Sequence, residues 1–290
     1  GHWVRGSVEE GAIVSKTKGR IPVKVRAIGN SIATPPDGLT AGVVEVRSFE
    51  ELEQIGDRAR GRIVFFNGAM DPTTVDTFPA YGGAARQRSG GAVAAARAGA
   101  VAAVVRSLTL QINDDPHTGT MSYDPAVPKV PAVTISTAAA EQLSDLLREE
   151  PDARFFFRTS CETLDPVTSH NVMGEIRGTE YPDEVIVVGG HLDSWDLSAG
   201  AHDDGAGCSQ SIEALRLIRE LGLKPKRTIR AVLYMDEENG GAGGRDSRTV
   251  RSGNGDSQTR REFRTGLVRV LVRIAPQLGG MLDELTGVSP

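Results

Sequence analysis

The sequence predicts an α/β fold. Three observations carry that expectation. Apolar runs of strand length recur along the chain, as at 62–66, 102–105 and 228–235. Stretches with helical spacing of apolar residues stand between such runs. From residue 170 the succession of two strands, a helix and a further strand suits a sheet with a helical crossover. The chain's 290 residues suffice for one large domain or two ordinary ones.

Taken in order, residues 1–34 hold one strand pattern, at 22–28. A break rich in Gly, Ser, Thr and Pro follows, from Gly29 to Pro36, and sets a boundary. Residues 41–150 read as an α/β unit. A strand at 43–46 leads to a helix opening at Ser48. There Ser48 can accept from the amide of Glu51, and Glu51 reaches back, in a capping-box pattern. A buried strand at 62–66 follows. The helix predicted over 91–100 is rich in Ala and closed by Gly99, and its small side chains would let it lie close to a sheet. Strands at 102–105 and 130–136 and a helix at 138–148 complete a small sheet with helices packed on it. Strands are then expected at 171–176 and 184–190. The second is so continuously apolar that it reads as an interior strand of a covered sheet. The helix over 206–221 aligns Ile212, Leu215, Ile218 and Leu221, and Gly222 stops it. A strand over 228–235 runs straight into a cluster of acids.

Composition narrows the function classes. The formal net charge is −5, with both signs spread along the chain. Neither a nucleic acid nor an anionic membrane is an expected partner. No apolar run approaches the roughly 20 residues of a membrane-spanning helix. The chain opens Gly1-His2-Trp3, and no secretory leader is read there. Cys161 and Cys208 are the only cysteines, and they read as unpaired, partly buried thiols.

Chemistry concentrates in three short segments: Gly190-His191-Leu192-Asp193-Ser194, Gly200-Ala201-His202-Asp203-Asp204-Gly205 and Asp236-Glu237-Glu238-Asn239. Each follows a strand or precedes a helix, so each falls at the loop edge of a sheet, where open α/β folds bind ligands. A neutral imidazole from His191 with carboxylates from Asp203 and Glu238 is a typical zinc donor set. Asp193, two residues past His191, could accept the other ring N–H and fix the tautomer. Of the adjacent Glu237 and Glu238 only one can readily coordinate. The other is free to take a proton from a water at the metal. His202 is placed at the rim of the cleft, and the loop residue His117 is read as solvated.

These segments, extended by Trp195-Asp196 and by Gly240-Gly241, resemble the carboxypeptidase Q (plasma glutamate carboxypeptidase) family of co-catalytic zinc peptidases. Upstream, Gly61 to Asn67, Pro116-His117-Thr118-Gly119 and Val127 to Pro131 look like that family's inserted protease-associated domain. The resemblance covers about residues 3–245. It implies an incomplete zinc-exopeptidase (phosphorylase/hydrolase-like) mixed sheet with helices on both faces, plus the inserted α/β domain. The implied layout is a leading segment of the peptidase domain at 1–34, the protease-associated domain at 35–165 and the N-terminal half of the peptidase domain at 166–245. At matching positions it implies His191 as ligand of one zinc ion, Asp203 as bridge between two, and Glu238 as ligand of the second. Glu237 would be the general base, Asp193 the support of His191, and the Asp203–Asp204 peptide would be cis. The implied reaction is hydrolysis of dipeptides or short peptides; a homodimer and a secreted or periplasmic location come with it.

The family's remaining ligands, an Asp beyond the Glu pair and a His near the end of the domain, have no match here. Between Arg245 and Arg273 stand eight arginines and no lysine. Residues 246–290 therefore read as a divergent tail, with the coding frame shifted near 245 and weak activity for the chain as given. Sequencing the gene across that point tests this. A poorly packed helix over 267–274 is expected, with no ligand role for Asp283 or Glu284. A non-catalytic interaction module with a remnant metal site, and a zinc aminopeptidase, are the rival readings.

Overall fold

One short strand sets the pattern of the first half: Ile63 and Phe65 face one way, Val64 and Phe66 the other, and all four residues are fully buried. Alternating side chains that are apolar on both faces demand cover on both faces. In a computed structural model that describes residues 1–245, the chain forms two compact units, Gly1–Pro166 and Val167 onward.

The first unit contains β1 (Trp3–Val4), β2 (Glu9–Ser15), β3 (Gly19–Val23), β4 (Val25–Ala27) and β5 (Leu39–Val46). It continues with α1 (Phe49–Ile55), β6 (Ile63–Phe66), α2 (Thr77–Arg97), β7 (Ala102–Arg106) and β8 (Ala132–Ile135), then α3 (Thr137–Glu149), β9 (Arg154–Thr159) and β10 (Glu162–Thr163). Eight strands make a mixed sheet in the order β3-β2-β9-β5-β6-β7-β8-β4, parallel from β5 to β8. On one face Ile63, Phe65, Val104 and Val133 pack with Leu143 and Leu146 of α3. On the other, Val64, Phe66 and Val105 pack with Leu52 of α1 and Ala92 and Ala95 of α2.

The sheet is larger than the sequence suggested, because β9 was not foreseen and the first 34 residues join it. Strand β2 pairs with β9, and β4 pairs with β8. Glu9 locks the arrangement: its carboxylate accepts from Arg5 at 3.1 Å, Arg26 at 2.7 Å and the Ala27 amide at 2.7 Å. The leading segment is thus not part of the second unit, because its backbone hydrogen bonds are made in the first.

Helix α2 also starts earlier than expected. Asp76 caps it by accepting from the Phe78 amide at 3.1 Å. Pro79, Gly82 and Gly83 read as breakers, but a proline in the first turn gives up an N–H that has no helical partner anyway. Ser48 caps α1 as foreseen, accepting from the Glu51 amide at 3.2 Å, while the Glu51 carboxylate takes the Arg47 amide at 2.6 Å in place of Ser48's own. The small residues of α2 do let it sit close to the sheet: a Cβ on Gly91 would stand 3.0 Å from the Phe66 ring.

The second unit holds β11 (Val172–Ile176), β12 (Tyr181–His191), α4 (Ala206–Glu220) and β13 (Arg227–Tyr234). Strand β13 is central, antiparallel to β11 and parallel to β12. The apolar β12 was expected in the interior. Among the described residues β13 is the one strand it pairs with, and Ile186 is 49% exposed. The tail over 246–290, the helix over 267–274, Asp283 and Glu284 lie outside the described residues.

Two expectations test this packing. In α2, Gly91→Leu should destabilise by about 1–3 kcal/mol through overpacking against Phe66. Gly82→Ala, which meets nothing within 4 Å, should stabilise by about 0.5–1 kcal/mol. Urea unfolding of both variants checks this pair.

At the end of α3, Glu150 accepts from the Thr17 hydroxyl, from Ser15 at 2.9 Å and from the Lys16 amide at 2.9 Å, pinning the β2–β3 turn. These donors, Thr17 first, hold its carboxyl down to about 2. A depressed carboxylate contributes stability in full above its ordinary value, and that contribution is lost as pH falls toward 2. The gap in urea midpoint between the wild-type chain and Glu150→Gln should therefore be constant above about pH 4.5 and close below it.

Candidate metal centre

The parallel pairing of β12 with β13 puts His191 opposite Tyr234. Both strands therefore deliver their carboxyl ends to one edge. His191 is the last residue of β12, and Glu237 and Glu238 follow β13 by a few residues. Asp203 arrives from the turn Ala201–Gly205 that leads into α4. The Asp203–Asp204 peptide is cis.

Asp204 ties that turn to the strand. Its carboxylate accepts from the His191 amide at 3.0 Å and from the Gly207 amide at 3.0 Å. Close approach here requires glycine: a Cβ on Gly190 would lie 2.5 Å from Asp204 Oδ2 and 2.7 Å from the Cys208 nitrogen. Behind the ring, the Cys208 thiol donates to the His191 carbonyl at 3.1 Å. Burial, reinforced by Asp204 and Asp193, pushes that thiol up to about 11.

His191, Asp203 and Glu238 each offer a ligand atom, all within 4.8 Å of one another. His191 Nδ1 lies 2.8 Å from the Asp193 carbonyl oxygen, which can only accept, so the proton sits on Nδ1. In the neutral ring Nε2 then presents a lone pair 3.0 Å from Asp203 Oδ1. Two acceptors at that distance need a cation or a second proton between them. Burial pulls the ring's pKa down, but the Asp193 carbonyl and the carboxylates of Glu237, Asp193 and Asp203 together carry it above its ordinary value. Burial raises the Glu238 carboxyl, and the charges of Asp203 and Glu237 raise it further. Such crowding of anions around one imidazole favours a bound cation.

The remaining residues fall as follows. Glu237 Oε2 stands 4.0 Å from His191 Nε2, on an exposed side chain. The Asp193 carboxylate does not hold the ring as expected. It is 3.8 Å from Nδ1, and the main-chain carbonyl of the same residue makes the ring contact instead. The carboxylate faces the other strand's loop and accepts from the Glu237 amide at 3.1 Å and the Glu238 amide at 3.0 Å. His202 is exposed and outside the cluster. His117 lies in the first unit, half-buried, with its amide donating to Ser107 at 2.8 Å. Two contributors were not foreseen. Trp195 lies near the Glu238 carboxylate and offsets part of the rise in its pKa. Asn171 accepts from the Met235 amide at 2.9 Å and donates to the Gly243 carbonyl at 2.9 Å. Trp195 could have been suspected from its place inside the motif; nothing in the spacing marks Asn171.

A His–Asp–Glu cluster at the carboxyl ends of parallel strands in an α/β unit makes this a candidate centre of the metallohydrolase class. Comparison with known proteins agrees. Residues 171–260 match the sequence model of peptidase family M28, and that match runs past the composition change placed near 245. The chain is 40% identical to human carboxypeptidase Q over 242 residues, 83% of the chain and 49% of that protein. Identity to the carboxypeptidase Q of Xenopus laevis is 41% over the same length. A solved peptidase M28 precursor from Shewanella amazonensis superposes with a TM-score of 0.80 at 34% identity, covering 87% of this chain and 56% of that one. A zinc aminopeptidase from Bacillus subtilis shares the fold, with a TM-score of 0.55 at 21% identity. Residues 171–260 thus match peptidase family M28, and the chain is similar over most of its length to a part of carboxypeptidase Q. It spans about half the length of the curated relatives it matches. Among the described residues no helix is long and apolar enough to cross a membrane.

Because Asp204 and Cys208 leave no room at position 190, Gly190→Ala should cost about 1–3 kcal/mol. Urea unfolding followed by Trp195 fluorescence checks this, with Trp3→Phe as the background.

Proposed function

We propose that this chain carries part of the active centre of a zinc-dependent metallo-exopeptidase that hydrolyses dipeptides or short peptides. One observation carries the reading: the lone pair of His191 Nε2 faces Asp203 Oδ1 at 3.0 Å, with Glu238 beside them, at the ends of two adjacent parallel strands. The donor set fits zinc, which takes imidazole nitrogen and carboxylate oxygen. His191, Asp203 and Glu238 would hold it, with Asp203 placed to be shared in a centre of two ions.

When bound, zinc supplies Lewis acidity toward the scissile carbonyl. The chain's own residues do the rest. The Asp193 carbonyl keeps the proton on His191 Nδ1 and so keeps Nε2 free. Trp195 favours the charged form of the Glu238 carboxylate. Glu237, exposed and 4.0 Å from the ring, takes a proton at Oε2 from the attacking water and passes it to the leaving amine. The kinship with carboxypeptidase Q favours a carboxypeptidase or dipeptidase over an aminopeptidase. A protease-associated role for residues 35–165, a homodimer and a secreted or periplasmic location belong to the same reading.

Elemental analysis after dialysis, beside a dipeptide assay, tests it. The wild-type chain should retain zinc, and His191→Ala and Glu238→Ala should lose it. Glu237→Gln should keep the metal while hydrolysis falls by about 10²–10⁴-fold. A wild-type chain that binds no zinc from a zinc-containing buffer would overturn the reading.

A further inference from the structure

We propose that Asp193 is the positioning residue of the Glu237–Glu238 pair, acting through their main-chain amides and not through the imidazole. Both of its carboxylate oxygens are committed: Oδ1 accepts from Glu237 N at 3.1 Å and Oδ2 from Glu238 N at 3.0 Å. The distance from Oδ1 to His191 Nδ1, 3.8 Å, is beyond hydrogen-bond reach. The side chain is only 18% exposed, so water competes little for these bonds. Charge-assisted bonds of this kind are about twice as strong as neutral ones.

The loop is shaped to present those two amides together. Asp236 has φ 67, the left-handed region rare outside glycine. Its carbonyl accepts from Gly241 N at 2.5 Å and its carboxylate from Ala242 N at 3.1 Å, while Asn171 holds Met235 and Gly243. These bonds shape the loop itself; where the peptides of Glu237 and Glu238 sit relative to β12 is a separate matter. Asp193 sets it, because it follows His191 by two residues and reaches across to the other strand's loop. One residue therefore places three groups: its carbonyl orients the imidazole, and its carboxylate registers both glutamates against it.

What the glutamates do rests on the proposed function, but the clamp itself is readable without metal. Hydrogen exchange of the Glu237 and Glu238 amides would be followed by NMR in the metal-free full chain, wild type and Asp193→Asn, together with the His191 ring ¹⁵N shifts. Asparagine keeps one acceptor and turns an N–H₂ on the other amide. At least one of the two amides should lose protection about tenfold, with the ring tautomer signature unchanged. The zinc dissociation constant should rise about 10–100-fold. Unaltered amide exchange with a shifted His191 ring overturns the proposal, since Asp193 would then act on the imidazole. Unprotected Glu237 and Glu238 amides in the wild-type chain overturn it whatever the variant's folding. If the amides respond but the wild-type chain holds no zinc, the clamp stands and the peptidase reading falls.

Discussion

The candidate centre depends on one constraint, the parallel register of β12 and β13. With His191 paired to Tyr234, the two strands end level. A parallel ladder requires a crossover, here α4, and the turn that begins it brings Asp203 back over the same edge. Three donors separated by up to 47 residues in sequence thus meet without any long-range loop closure of their own. A slip of one residue in that register would turn His191 to the opposite face. The Leu192 amide, donating to the Tyr234 carbonyl at 2.6 Å, closes the ladder at its last rung.

The first unit follows a different logic. Its parallel strands are covered on both sides, by α3 on one face and by α1 and α2 on the other, so nearly every strand residue is apolar. Its edges are antiparallel, and polar side chains tie them to other elements. Glu9 does this for β4 and Glu150 for the β2–β3 turn. The charges sit where strands change direction, where backbone groups most need partners.

Much of this could be read from the residues. Strand positions such as 62–66 and 228–235 and the ends of α4 follow from apolar runs and from Gly222. The grouping of His191, Asp203 and Glu238 followed from residue type and placement after strands. What was hidden was tertiary. Phe155 to Phe157 form a strand because β2 and β5 flank them, which no local pattern states. Within the first 34 residues, β2 and β4 pair with strands that lie more than a hundred residues away in sequence. The carboxylate of Asp193 points to another strand's loop because the sheet brings two peptide N–H groups to it, while spacing alone directs attention to the nearby ring. Asn171 acts for the same kind of reason, since β11 lies antiparallel to β13 and begins beside its loop.

The Cys208 thiol gives the site a property of its own. Sulfur is a softer donor than oxygen or imidazole nitrogen, and a thiolate would compete strongly for a borderline ion such as zinc. Cys208 sits directly behind His191, yet its proton is spent on the His191 carbonyl and burial keeps it attached well above neutral pH. The centre is thereby kept to nitrogen and oxygen donors. The same chemistry makes the thiol slow toward alkylating agents and oxidants, although it stands one residue layer from the reacting groups.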